Sequence, residues 1–101
     1  MEQAERIRQM EQRLEKTSAA TMELSAALDK YLDVQEALKM LSDYYGSEDW
    51  KKDFADDEAG LLPSDLKRGV LSEDGIWNLL SDCQELNVRL QEAVTKMSFF
   101  W

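Results

Sequence analysis

The 101-residue sequence has no histidine, one cysteine, one proline and four glycines. Without histidine, no mechanism can use an imidazole as acid, base or metal ligand. A single cysteine, Cys83, excludes an internal disulfide and a thiolate zinc cage, and it fits a reducing compartment. Because glycine and proline are scarce, we expect few and long secondary-structure elements.

Positive charge is also scarce, with 12 Lys and Arg against 21 Asp and Glu, a formal net charge of −9. No stretch of the sequence is basic enough to bind the phosphates of a nucleic acid, so we expect no direct nucleic-acid binding. The acidity is explained either by solubility or by attraction to a basic protein, including mimicry of nucleic acid. No apolar run is long enough for a membrane span, and charged residues interrupt the first twenty positions where a secretory signal would be apolar. These features predict a cytoplasmic protein without membrane contact.

Apolar residues at heptad spacing predict one long helix over about residues 2–43. The stripe has two rows with a spacing of seven: Ile7, Leu14, Thr21 and Leu28 in one, and Met10, Thr17, Leu24, Tyr31 and Leu38 in the other. The stripe is weakest over residues 17–21, where the side chains are small and polar, and we expect either a bend or a close helix contact there.

Capping signals divide the rest of the chain. Gly46 suits a left-handed position after a helix, and Ser47 suits the N-cap of a short helix that carries Trp50 and Phe54. Residues 62–69 resemble a single helical turn that Pro63 would begin and Lys67, Arg68 and Gly69 would close. Ser72 is the expected N-cap of a last helix over about residues 73–99, with Leu71 packing on Ile76.

We therefore predict an all-α fold in a single domain, 1–101: a long antiparallel helical hairpin with a short helical, loop-rich capping insertion, here called the capping segment (residues 44–71). The last helix would reach back to about residue 15 of the first. Ile7 and Met10 would then overhang, and with Leu14 they are the predicted contacts of a homo-oligomer.

Five carboxylates stand within ten residues: Asp49, Asp53, Asp56, Asp57 and Glu58. Their spacing does not match a calcium-binding EF-hand loop, so a solvated acidic face that pairs with nearby Lys51, Lys52, Lys67 or Arg68 is the favoured interpretation over a metal site. We expect no cofactor and no catalytic residue, because no phosphate-binding glycine loop is present and Cys83 lies in an apolar helical row.

Aromatic residues gather in the middle of the chain: Tyr44, Tyr45, Trp50, Phe54 and Trp77. A small core is the favoured interpretation, because a short segment needs large side chains to bury enough area, and a recognition surface is the alternative. The terminal Phe99, Phe100 and Trp101 are expected either to cover the first helix near Leu14 or to anchor a partner.

The middle of the chain resembles a known family. The similarity rests on Tyr44-Tyr45-Gly46-Ser47, on Trp50, and on the stretches 57–60 (DEAG) and 62–74 (LPSDLKRGVLSED). It is identified as a member of domain of unknown function 4298, a family of small bacterial proteins common in Gram-positive species. The resemblance implies a cytoplasmic helical protein whose specific features lie in residues 44–74, and it brings no known activity, substrate or cofactor.

We expect a protein–protein interaction module without catalysis, such as an adaptor, immunity or regulatory factor. The alternative is an acidic inhibitor or nucleic-acid mimic that acts on a nucleic-acid-binding protein. The expected partner-binding residues lie in the capping segment, where acidic side chains would steer a basic partner and Trp50 or Arg68 would anchor it. They are Trp50, Asp53, Asp56, Asp57, Glu58 and Arg68.

Overall fold

The computed structural model describes residues 2–97, and within that range the fold contains helices and no strand. This confirms the predicted all-α class. The elements are α1 (Glu2–Asp33), α2 (Gln35–Tyr44), α3 (Glu48–Glu58), the 3-10 turn η1 (Gly69–Leu71) and α4 (Gly75–Met97). The end of the predicted last helix and the aromatic Phe99, Phe100 and Trp101 lie outside the described residues.

The chain divides into two compact units, Met1–Glu36 and Ala37–Trp101. In the first unit, α1 is an uninterrupted helix without a buried residue. It continues without a break through the weak stretch 17–21. There the Thr21 Oγ1 hydroxyl donates to the Thr17 carbonyl at 2.8 Å, so the hydroxyl is paired with the backbone of its own helix.

The break in the first helical region lies at Val34, so the prediction of one helix over residues 2–43 is wrong. Two local features coincide with the break. Val34 is β-branched and favours helix weakly. The Gln35 side-chain amide donates to the Tyr31 carbonyl at 2.8 Å, the oxygen that a regular α-helix pairs with the backbone N–H of Gln35.

In the second unit, two predictions are confirmed: a left-handed Gly46 after α2, and Ser47 as the N-cap of α3. Gly46 has φ +79°, and the Ser47 Oγ accepts a hydrogen bond from the Trp50 N–H at 3.1 Å. At the other end Gly60 has φ +72°, its N–H donates to the Asp57 carbonyl, and the Leu61 N–H donates to the Asp56 carbonyl. This is the Schellman arrangement, which satisfies the last carbonyls of α3 and turns the chain.

The prediction of a helical turn over residues 62–69 is wrong, because no helix is present between α3 and the 3-10 turn. The segment holds one hydrogen-bonded turn, in which the Leu66 N–H donates to the Pro63 carbonyl at 3.2 Å, and the 3-10 turn follows it. Arg68 Nη2 also donates to the Pro63 carbonyl, at 2.8 Å. The arginine thus folds back over the turn that it was expected to close, and it competes with a helical hydrogen-bond pattern.

The core of the described chain consists of Leu71 and Ile76, the pair expected to flank the start of α4. The Ser72 Oγ accepts from the Gly75 N–H at 2.9 Å and donates to the Gly69 carbonyl at 2.8 Å. The predicted start of the last helix is wrong by two residues, because α4 begins at Gly75 and the Asp74 carbonyl, not that of Ser72, accepts from the Asn78 N–H. Leu41 of α2 and Leu79 of α4 line one groove with Ile76. Within the second unit, the start of α4 packs on the 3-10 turn, and α2 lies across this groove from it.

Between residues 2 and 97, no helix combines the length and the apolar character that a bilayer-spanning segment needs.

Position 75 requires a glycine because the backbone of Gly69 passes close to it. Helix propensity alone does not reveal this requirement. A Cβ at this position would collide with the Gly69 carbonyl oxygen and would lie 2.7 Å from Ser72 Oγ. We expect Gly75→Ala to lower the free energy of unfolding by about 1–3 kcal/mol, although alanine is the better helix former. Chemical denaturation followed by circular dichroism measures this change.

Gly69→Ala is the matched control, because a Cβ there meets nothing within 4 Å. It should change stability little. Equal stability of the two variants would contradict the close approach at Gly75.

Candidate partner-binding site

Three aromatic rings form a stack on the inner side of α3. The Tyr45 and Trp50 ring centroids are 5.2 Å apart in an edge-to-face arrangement, and those of Trp50 and Phe54 are 5.2 Å apart with near-parallel planes. All three side chains are half-buried. The rings thus pack on one another, as the favoured interpretation of the aromatic content requires, but none of the three is fully buried.

Trp50 also closes the capping segment. Its indole Nε1–H donates to the Val70 carbonyl at 2.9 Å, across twenty residues of sequence. The hydrogen bond holds the 3-10 turn against α3, and these two elements are in contact. Trp50, predicted as a partner anchor, is thus already engaged by its ring faces and by its polar edge.

The acidic run supplies ion pairs within the unit. Arg68 Nε lies 3.1 Å from Asp57 Oδ1, with both side chains partly shielded from solvent. The Nε atom is buried and the approach falls outside hydrogen-bond geometry, so the contact is electrostatic. Lys52 Nζ reaches Asp56 Oδ2 at 2.8 Å, and this hydrogen bond raises the pKa of Lys52.

Asp53 has a neutral partner. The Tyr44 hydroxyl donates to Asp53 Oδ2 at 2.6 Å. That hydrogen bond, followed by burial and the charges of Asp53 and Asp49, raises the pKa of Tyr44 from 10.0 to about 12. The phenol is therefore a proton-bearing donor at neutral pH and links the end of α2 to α3.

Of the four predicted acidic residues, only Glu58 is exposed. Asp53 and Asp57 lie three and seven residues after Trp50 and share its face of α3, whereas Asp56 lies beside that face and pairs with Lys52. The expected solvated acidic face is thus half-buried and internally paired. Within residues 2–97, no three carboxylate or cysteine side chains come together as a metal-binding group.

Trp77 is the functional candidate that the sequence interpretation missed. The sequence pattern favours a place for it in the aromatic core, but the structure leaves it 58% exposed near the start of α4. A signal was present, since position 77 lies off the stripe that contains Ile76 and Leu79. Large exposed indoles are frequent anchors of protein interfaces, so Trp77 is a better anchor candidate than Trp50.

A shallow groove of about 450 Å³ lies in the second unit. It is lined mostly by apolar atoms, with one cation at its edge: Leu41, Lys67, Gly69, Val70, Gly75, Ile76 and Leu79. The mixture of an apolar floor with a charged rim is typical of protein-binding surfaces.

The predicted oligomer contacts lie in the first unit. Ile7, Met10 and Leu14 are 53%, 54% and 60% exposed along α1. Their side chains are available to a partner, and the same stripe continues through Leu24 and Leu28, which are also exposed.

The chain was compared with known proteins. A protein-family model described as Domain of unknown function (DUF4298) matches residues 7–93. The chain belongs to this family. The DUF4298 match extends over most of α1, the capping segment and most of α4, so it covers most of both units. No curated protein and no solved structure matches the chain.

The Tyr44 hydroxyl makes stability depend on pH in the alkaline range. Because its pKa is raised from 10.0 to about 12, the stabilisation is complete below pH 10 and is lost as the pH rises through about 12. We expect Tyr44→Phe to be less stable than the original chain at neutral pH. The difference between the two proteins should shrink above pH 10.

Urea denaturation at a series of pH values measures this effect, and an ultraviolet titration of tyrosinate should lose its highest step in Tyr44→Phe. A titration curve that keeps that step would assign the raised pKa to another residue.

Proposed function

We propose that this protein is a non-catalytic protein–protein interaction module of the bacterial cytoplasm, an adaptor, immunity or regulatory factor. One observation carries the proposal: the described chain buries Leu71 and Ile76, whereas most of its large apolar side chains remain exposed. Monomeric proteins rarely leave so much apolar surface uncovered. Exposed apolar side chains are binding surfaces, and they provide no reactive group.

The partner-binding site in this proposal is the capping segment together with the adjoining start of α4. Asp56 and Asp57 form ion pairs within the unit, so in this proposal they hold the surface in shape and do not contact the partner. Glu58 then supplies an exposed negative charge, and Trp77 supplies the exposed aromatic anchor. A basic partner with an apolar pocket fits this combination.

The nucleic-acid mimic is the weaker alternative. A protein that imitates a phosphate backbone needs a row of carboxylates free to meet a basic groove. Here Lys52 pairs with Asp56 and Arg68 pairs with Asp57. The Tyr44 hydroxyl donates a hydrogen bond to a third carboxylate, that of Asp53. The pairing therefore favours the interaction module.

A homo-oligomer assembled through Ile7, Met10 and Leu14 is the second part of the proposal. Their exposure supports it, since a 32-residue helix without a buried residue lacks the tertiary packing that stabilises most helices. The two surfaces lie in different units and are tested separately.

Glu58→Lys tests the charge at the partner surface. The partner is first isolated with tagged full-length protein and identified, and its association is then followed by surface plasmon resonance. We expect a lower association rate constant at low salt and little change in the dissociation rate constant. Charges at the rim of an interface act mainly on the rate at which the two proteins encounter each other. Glu92→Lys, the same change on exposed α4, is the control. An equal rate for the original chain and Glu58→Lys would contradict the assigned surface.

Trp77→Ala tests the anchor. Because the indole is 58% exposed, its removal should leave helical content unchanged. A buried interface anchor contributes about 2 kcal/mol or more, so dissociation from the same partner should become at least tenfold faster. Val94→Ala, at a position 66% exposed on the same helix, is the matched control. Unchanged dissociation would remove Trp77 from the site.

A further inference from the structure

The exposed stripe of α1 has the form of a coiled-coil seam. Heptad positions a and d are occupied over four heptads by Ile7, Met10, Leu14, Thr17, Thr21, Leu24, Leu28 and Tyr31. We call this set the α1 seam. Four heptads are enough for a two-stranded coiled coil, and no residue of α1 is buried.

We propose that the α1 seam pairs with the α1 seam of a second copy of this chain, in a parallel, in-register coiled coil. The inference rests on the proposed homo-oligomer and specifies its interface, its orientation and its register. The Ile7, Met10 and Leu14 contacts are then the first part of an interface that extends over the whole helix.

The charges beside the seam select a second copy as the occupant. In a parallel coiled coil, each g residue faces the e residue five positions further along the partner helix. Arg6 is at g and Glu11 is at e, so Arg6 of each copy faces Glu11 of the other. Arg13, the other charged g residue, faces Ser18 and meets no like charge.

These two side chains are available for such contacts. Neither Arg6 nor Glu11 takes part in an ion pair within residues 2–97. Arg8, which lies away from the seam, is instead 3.6 Å from Glu5 of its own helix. An antiparallel pairing centred on the seam would place Arg6 opposite Val34 and Glu11 opposite Ser25, and both attractions would be lost.

The polar centre of the seam is compatible with burial. Thr21 already donates its hydroxyl to the Thr17 carbonyl at 2.8 Å. Its donor therefore keeps a partner when water leaves the interface, which removes most of the usual penalty for burying a hydroxyl. The small side chains at 17–21 also let the two backbones approach at the centre.

Charge exchange tests the pairing in the full-length chain. Sedimentation equilibrium is run at about 0.15 M salt, where the Debye length is about 8 Å and repulsion between two acidic chains is screened. Arg6→Glu and Glu11→Arg should each weaken the dimer about tenfold, because two attractive contacts become repulsive. An equimolar mixture of the two variants, and the double variant, should recover the original affinity. Lys16→Glu, on the outer face, is the control.

Cysteine cross-linking tests the orientation in a Cys83→Ser background. Leu24→Cys lies at d, so a parallel dimer brings the two introduced thiols together and they form a disulfide upon oxidation. Ala26→Cys lies on the outer face of α1 and should not cross-link. Circular dichroism confirms that each variant keeps its helical content.

Each outcome bears on the proposal. A monomer at all concentrations would overturn it and would indicate that another part of the chain or another protein covers the seam. A dimer without the Leu24→Cys cross-link, or without recovery in the mixed variants, would overturn the orientation. Neither failure affects the partner surface of the second unit, because Glu58→Lys and Trp77→Ala report on that surface independently.

Discussion

The hydrogen bond from the Trp50 indole to the Val70 carbonyl is the constraint on which the capping segment depends. It joins residues twenty positions apart, and the stack with Tyr45 and Phe54 fixes the ring that makes it. Once Val70 is held, Leu71 and Ile76 can be buried beside it. The loop between α3 and the 3-10 turn is then closed by Arg68 on Asp57. Without this closure the segment would be a helix followed by an open loop.

Three of the acidic side chains have a structural role within the second unit. An excess of carboxylates suggests a surface made to attract cations, yet Asp53, Asp56 and Asp57 are each used within the unit. Ion pairs at partly exposed sites contribute little to stability, typically below about 1 kcal/mol each. Their effect here is on geometry, since they fix where the arginine and the loop lie. The surface offered to a partner is thereby more apolar and less charged than the sequence implies.

The two units solve the problem of a small core in different ways. Among its described residues, the second unit packs Tyr45, Trp50 and Phe54 at one helix and buries one pair of aliphatic side chains. In the first unit, α1 buries no residue, so its apolar stripe is left exposed. A seam shared between copies and a separate surface for another protein are compatible, because they use different residues. The proposed module is thus an assembly helix joined to a recognition segment.

Local chemistry determined the elements that the sequence alone predicted. The Gly46 turn, the Ser47 cap and the stop of α3 near Gly60 each involve groups within about five residues of one another, so the residue types are sufficient. The aromatic core and the candidate cations for the acidic run followed from composition. Only the tertiary structure decided that Trp50 reaches Val70, that Arg68 takes Asp57 and folds over Pro63, and that Gly75 meets Gly69. The same holds for Trp77, which packing left outside the core. These contacts depend on the path that the loops take in the folded chain. The local sequence allows many alternative pairings, and only the folded backbone brings one particular pair of groups within contact distance.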